Sequence, residues 1–304
     1  MTAWAEQPLL DLRRLDAVGL DGAGGVTYLL RQTFRYDYDG PAYDLRQRLV
    51  ALPRARHGAL RRRAHSVSVS LPGGRTVLRR DPFGNVVVHV RQPTVARSVE
   101  FTLAALVERV GAAAADRLPA SALAEPRHLA ATRLTEPDPV LRAVAAELRA
   151  ATADDTAFAD ACCARVRADL AYGFEATSVS TTAAEAYATG RGVCQDSAHL
   201  VLALCRAAGV PARYVSGHLL GQRGGSHAWV EVLVADGRGG ARAVGVDPSN
   251  GCRAGARHLP VAVGRDYTDV APTSGGYRGT ARGRLTTSKH AGVVEIDAVD
   301  AISA

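Results

Sequence analysis

The sequence predicts an α+β protein in which a small β domain precedes a larger domain of helices and antiparallel strands. Three observations carry this. Short β-rich runs alternate with turn signals over residues 27–89, an Ala/Leu/Arg-rich stretch cut by prolines follows over 112–171, and a strong helical period beginning near Cys194 leads into three apolar runs of strand character. The expected division is 1–111 for the β domain and 112–304 for the second domain.

In the first domain, Thr27 to Tyr38 reads as a strand closed by the turn Asp39-Gly40-Pro41. Val67, Val69 and Leu71 alternate with polar residues, the period of a half-buried strand, and Pro72-Gly73-Gly74 ends it. Gly84-Asn85 is a turn before the apolar run Val86 to Val90.

In the second domain, Asp138 before Pro139 is a helix start, and Val140, Leu141, Val144 and Leu148 recur at helical spacing. A further helix is expected from Thr156 to Ala171. Thr182 and Glu185 have capping-box form, with a short helix ending at Gly190. The next helix opens at Cys194, presents Ala198, Val201, Leu202 and Cys205 on one face, and ends at Gly209 and Pro211. Three strands follow: Ala212 to Ser216, Ala228 to Val234 and Ala243 to Val246.

At 304 residues, with 47% hydrophobic and 22% charged residues, the chain can bury a full core. The net charge of +7 comes from arginine: Lys289 is the only lysine among 37 basic residues. The densest basic run, Arg54 to Arg63, has no interleaved aromatics and sits in no nucleic-acid-binding module, so a solvated or acid-facing surface is expected and nucleic acid is not a partner. No apolar stretch approaches the ~20 residues of a membrane helix, and the N-terminus lacks a basic start followed by an apolar run. A cytoplasmic protein with no membrane partner is expected. Five cysteines without a CxxC pair suit a reducing compartment and argue against a zinc or dithiol centre.

Among these cysteines, Cys194 alone has a sequence context that favours reactivity. It falls in the first turn of its helix, where unpaired N–H groups and the helix dipole stabilise a thiolate, and Gly190 and Gly192 keep the approach open. Its backbone N–H is a candidate oxyanion donor, with Tyr172 and Gln195 as candidates for a second. His227 opens a strand after the loop Gly221 to Gly225, and Asp247 ends the next. Paired as a hairpin-like unit, those strands would set His227 against Asp247, as a base needs whose second nitrogen is held by a carboxylate. The expected catalytic set is therefore Cys194 as nucleophile, His227 as base and Asp247 as its orienting group.

Five blocks resemble, in order, those of the bacterial transglutaminase-like family: Gly192 to His199, Gly209 to Ser216, Ser226 to Glu231, Asp247 to Asn250, and Val263 to Val270. The stretch from Tyr36-Asp-Tyr-Asp-Gly-Pro41 through Asp81 to Asn85 is similar to that family's N-terminal β domain. The resemblance implies a papain-like, transglutaminase-like core in which the helix bearing the cysteine packs on an antiparallel sheet, preceded by a small β-sandwich-like domain. It implies no cofactor and the same Cys194, His227 and Asp247 set. Ser197 stands where the family usually has an aromatic, His218 where tyrosine is common, and Ala241 to Val244 lacks the usual tryptophan.

The function expected is amide chemistry through a thioester: hydrolysis of a peptide, protein or small amide substrate, with acyl transfer to an amine co-substrate as the alternative. A non-catalytic binding module and a metal site of Cys194, His199, His227 and Asp247 are the readings from other classes. Around the site, His199 is expected as a buried hydrogen-bonding partner, Asp196 as a cap, Trp229 as a wall of the cleft, and Arg265, Asp266 and Asp269 as an ion-pair network.

Overall fold

In the computed structural model, the described residues are 3–10, 20, 23–110, 116–173, 177–222 and 226–297. The first unit is built from β1 (Gly25–Tyr38), β2 (Ala42–Leu52), β3 (Arg56–His57), β4 (Leu60–Val69), β5 (Arg75–Arg80), β6 (Val86–Val95) and β7 (Ser98–Val110). Along β1, Tyr28, Leu30, Gln32 and Phe34 are buried at a period of two, the signature of a sheet with one face on a core.

The second unit follows the expected order. β8 (Arg117–Pro119) is succeeded by α1 (Pro139–Ala150), α2 (Asp155–Asp169), β9 (Ala171–Tyr172), α3 (Ala183–Thr189), β10 (Arg191–Gly192) and α4 (Cys194–Ala207). Asp138 caps α1 by accepting Leu141 N–H, the reciprocal Thr182–Glu185 box opens α3, and Gly190 closes it at φ 63°. α4 is buried along most of its length, and α1, α2 and α3 pack around it. Its other neighbour is an antiparallel sheet of β11 (Ala212–Leu219), β12 (His227–Ala235), β13 (Gly240–Asp247), β14 (Cys252–Arg253) and β15 (His258–Gly264), in the order β14-β13-β12-β11-β15, with β8 pairing to β13. No helix among the described residues is long and apolar enough to cross a membrane.

The expected domain boundary needs one correction. β16 (Thr273–Arg278) and β17 (Gly283–Asp297) lie in sequence beyond the second unit but pair with the first. β16 adds to β2 in the four-stranded sheet β16-β2-β6-β5, and β17 runs along the whole of β1 in the five-stranded sheet β17-β1-β7-β4-β3. The two sheets meet through Tyr36 Oη and Gln47 Nε2, which both reach Thr273 Oγ1 at 2.8 and 2.6 Å. The β unit is thus discontinuous: 112–304 is not one domain, because the pairing edge of β1 is filled from the far end of the chain. Truncation after Pro272 removes both strands and bares the edges of two sheets. The expected result is an aggregated chain without cooperative unfolding, read by size-exclusion chromatography and circular dichroism; a monomeric, cooperatively melting fragment would contradict the assignment of these strands to the fold.

Candidate active site

Cys194 is the first residue of α4, and its thiol is partly exposed. The approach is tight. A Cβ on Gly192 would lie 2.7 Å from Asp196 Cβ, so only glycine fits there. Asp196 is the expected cap: its Oδ2 accepts Val193 N–H at 2.8 Å and the Thr177 hydroxyl at 2.7 Å. The first N–H groups of a helix have no intrahelical acceptors, so the positive end of α4 lies at the residue that bears the sulfur.

β12 and β13 pair in the register Val230–Val246, which sets His227 near the end of its neighbour strand. His227 Nε2 donates to Asp247 Oδ2 at 2.6 Å, with both side chains buried. Because a carboxylate can only accept, Nε2 carries the proton and the lone pair of the neutral ring is on Nδ1. Nδ1 is buried and has no closed hydrogen bond, yet the Cys194 thiol is near enough to act on the ring. Burial alone would push the imidazole down, but the bond to Asp247 and the attraction of Cys194 overcome it and hold His227 at about 9.

Asp247 is wholly buried and still strongly favours its charged form. Burial opposes the charge; five donors outweigh it. Oδ1 accepts the backbone N–H groups of Ser249 (3.0 Å) and Asn250 (3.2 Å), while Oδ2 accepts Asn250 Nδ2 (2.7 Å), His227 and His258 Nε2 (3.1 Å). His258 was not singled out in the sequence. It stands at the head of β15, eleven residues past Asp247, with no local pattern to mark it, and the only available signal was a histidine opening an apolar run. Its own tautomer is fixed: Nδ1 accepts Gly255 N–H at 3.1 Å, so Nε2 is the donor to Asp247.

His227, Asp247 and His258 bring their ligand-type atoms within 4.8 Å of one another. In this arrangement, however, the histidine nitrogens that face the carboxylate both carry protons and offer no lone pair to a cation. The other metal set considered, with His199, is not assembled. His199 is fully buried on the far side of α4, accepts Tyr267 N–H at 3.2 Å, and is held neutral by burial at about 4.

Gln195 donates its side-chain amide to Val179 O at 3.3 Å, whereas Tyr172 is 47% exposed and close enough to feel both Cys194 and Asp247. Trp229 is 1% exposed, a core residue that also lines a cavity; its ring stacks on His227 at 6.1 Å and packs so closely on Gly217 that a Cβ there would lie 2.6 Å from it. Arg265 and Asp269 pair at 2.9 Å, but Asp266 instead caps the turn at Thr268. Residues 223–225 of the glycine-rich loop lie outside the described residues. All five cysteines are free thiols.

Behind Trp229 a cavity of about 300 Å³ opens between the units, lined by His57, Arg109, Glu231 and His258 among others. Beside it, Glu231 of β12 bonds His57 of β3 at 2.6 Å and Arg213 of β11 at 2.7 Å, and Arg213 also meets Asp116 at 2.8 Å. This buried network ties the β unit to the sheet that carries His227.

A thiol at a helix N-terminus, facing a His–Asp pair on an antiparallel sheet, is the arrangement of the papain-like class of folds. Comparison with known proteins narrows this. Residues 142–240 match the Transglutaminase-like superfamily model, and residues 28–108 match the bacterial transglutaminase-like N-terminal region. The chain belongs to the bacterial transglutaminase-like family. It is similar to an uncharacterized protein of Mycobacterium leprae (41% identical over 122 residues, 37% of this chain and 42% of the relative). It is also similar to an uncharacterized protein of Mycobacterium tuberculosis (36% over 121 residues, 36% of this chain and 38% of the relative). The matched part therefore spans about two fifths of the length of these curated relatives. The solved structure "of a Putative Cysteine Protease from Cytophaga hutchinsonii" shares the fold at a TM-score of 0.67 and 18% identity, covering 90% of this chain and 93% of that one.

Proposed function

We propose that this protein is a cysteine-dependent enzyme that hydrolyses a peptide or isopeptide-like amide through a thioester on Cys194. The observation that carries the reading is the orientation of His227: one ring nitrogen is engaged by a buried, charged Asp247, and the other is left for the thiol. His227 Nδ1 takes the thiol proton, and Sγ attacks the carbonyl carbon. The Cys194 N–H stabilises the oxyanion, with the Tyr172 hydroxyl as the second donor. As the intermediate collapses, the C–N bond breaks and His227 returns its proton to the leaving amine. Water, deprotonated by the same nitrogen, then attacks the thioester; the C–S bond breaks and the free acid leaves with the thiol restored. An amine in place of water gives transfer by the same steps, so the outcome depends on which nucleophile reaches the thioester.

The test is intact-mass analysis of wild type and Cys194→Ala after incubation with peptides, small amides and activated esters, with and without a labelled amine. A wild-type-only acyl adduct that decays to free acid even with amine present is expected. Efficient amine incorporation would replace hydrolysis by transfer. Slow iodoacetamide labelling, equal at Cys194 and the exposed Cys252, would favour a non-catalytic module.

A further inference from the structure

The basic run that stands out in the sequence is largely occupied in the structure. Arg54 lies 3.6 Å from Asp116, Arg62 donates to Pro53 O at 2.9 Å and Arg63 pairs with Glu108 at 2.6 Å. A second group of arginines, scattered in sequence, is assembled by strand pairing. In the sheet β16-β2-β6-β5, Arg75 of β5 stands opposite Arg91 of β6, and Arg91 opposite Arg46 of β2. In the next row on the same side, Val77 stands opposite His89 and His89 opposite Arg48, and Arg79 continues that side of β5. The other side of the sheet is core, with Leu49, Val88 and Val90 buried.

Arg75, Val77, Arg79, His89 and Arg91 line a surface cavity of about 410 Å³. Its polar lining is wholly basic. Arg75, Arg79 and Arg91 are exposed, and among the described residues no carboxylate pairs with any of them; Asp44, which borders the adjoining hollow, is taken by Arg46 at 2.8 Å. Partial burial first, and the charges of Arg48 and Arg79 second, lower the His89 imidazole, as a locally positive surface requires. β5 is also the last strand of its sheet. It pairs with β6 on one side and with no described strand on the other, and all of it is exposed except the half-buried Val77. Such an edge can accept a further strand. A second copy of β5 would set arginine against arginine and is repelled.

We infer that the free edge of β5 takes an extended acidic segment of a partner polypeptide, which adds to the sheet as a strand and sets carboxylates against Arg75 and Arg79. At about 3.3 Å per residue these two arginines are about 13 Å apart along β5. An added strand has the same rise, so acidic residues four apart meet both while the residue midway covers Val77. The guanidinium fork takes a carboxylate through two parallel hydrogen bonds. No aromatic side chain lines the cavity, so the bases of a single-stranded nucleic acid find no stacking platform there. This surface is independent of the chemistry at Cys194.

The probe is a short labelled peptide alternating glutamate and threonine, titrated into the full chain carrying Cys194→Ala so that the peptide stays intact, with fluorescence anisotropy as the readout. It should bind, more weakly as salt rises, and the same peptide with glutamine for glutamate should bind at least about tenfold more weakly. Arg75→Ser with Arg79→Ser should lose about tenfold or more, since two charge-assisted bonds go. Both positions are exposed, and an unchanged thermal midpoint separates the loss from misfolding. Amide hydrogen exchange should slow in β5 when the peptide binds. Equal binding of the glutamine peptide, undiminished binding by the double variant, no binding at low salt, or protection confined to other strands would overturn the inference. So would tighter binding of oligothymidylate or of phosphatidylserine vesicles, which would make the partner a nucleic acid or a membrane.

Discussion

Asp247→Asn should lower kcat/KM by about three to four orders of magnitude, the scale seen when a triad carboxylate becomes an amide. The reason is directional. Oδ1 of Asp247 is pinned by the N–H groups of Ser249 and Asn250, so an asparagine would keep its oxygen there and turn its NH2 toward His227 and His258. Donor would then face donor at His227 Nε2. The ring would relieve this by moving its proton to Nδ1, which removes the lone pair that receives the Cys194 proton.

The pH profile should change as well. Asp247 is the principal influence holding His227 at about 9 against burial. Its pKa is raised, so the imidazolium that protonates the leaving amine persists up to that pH in wild type and is lost above it. Without the carboxylate, burial acts unopposed by that charge, and the alkaline limb should move down to or below the ordinary imidazole value of about 6.5. Acylation rates measured from pH 5 to 10 check both points. An alkaline limb that stays in place, or a loss of less than tenfold, would remove Asp247 from the mechanism.

Glu231→Ala should cost about 3–5 kcal/mol of stability, because it strands the buried Arg213 and His57 without their shared partner. Urea denaturation measures it, and a loss below 1 kcal/mol would mean that Asp116 alone satisfies Arg213. The acid response has a definite sign. Burial opposes the charge of Glu231, but His57 and Arg213 outweigh it and hold its carboxyl well below the usual range. A depressed pKa contributes stability above the unfolded value of about 4.3 that is lost as the pH falls further. Wild type should therefore lose stability on acidification, and Glu231→Ala should lose less over the same interval.

Much of this was legible in the sequence where the determinant is local. The caps at Asp138, Thr182 and Gly190 and the helical period after Cys194 each act within a few residues, and the structure places them as read. The His227–Asp247 pairing was legible because two neighbouring strands and a short turn decide it. What escaped depends on distant partners. Thr273 to Arg278, with two adjacent glycines, has weak strand character alone and becomes a strand only because β2 offers an unpaired edge. β17 is mostly polar in its first half for the same reason: its pairing with β1 supplies the backbone bonds, and residues 283–288 are all exposed. His258 reaches Asp247 through the β11–β15 pairing, which no local pattern announces.

The register that sets Gly25 against Asp297 has a consequence for how the protein comes into being. During synthesis the segment holding Cys194, His227 and Asp247 emerges before the strand that completes the sheet beside it. A nascent chain therefore carries the thiol and its base while β17, the partner of β1 along its whole length, is still inside the ribosome. The β1 edge is thus the last to be paired, and the sheet closes only after Cys194, His227 and Asp247 have all left the ribosome.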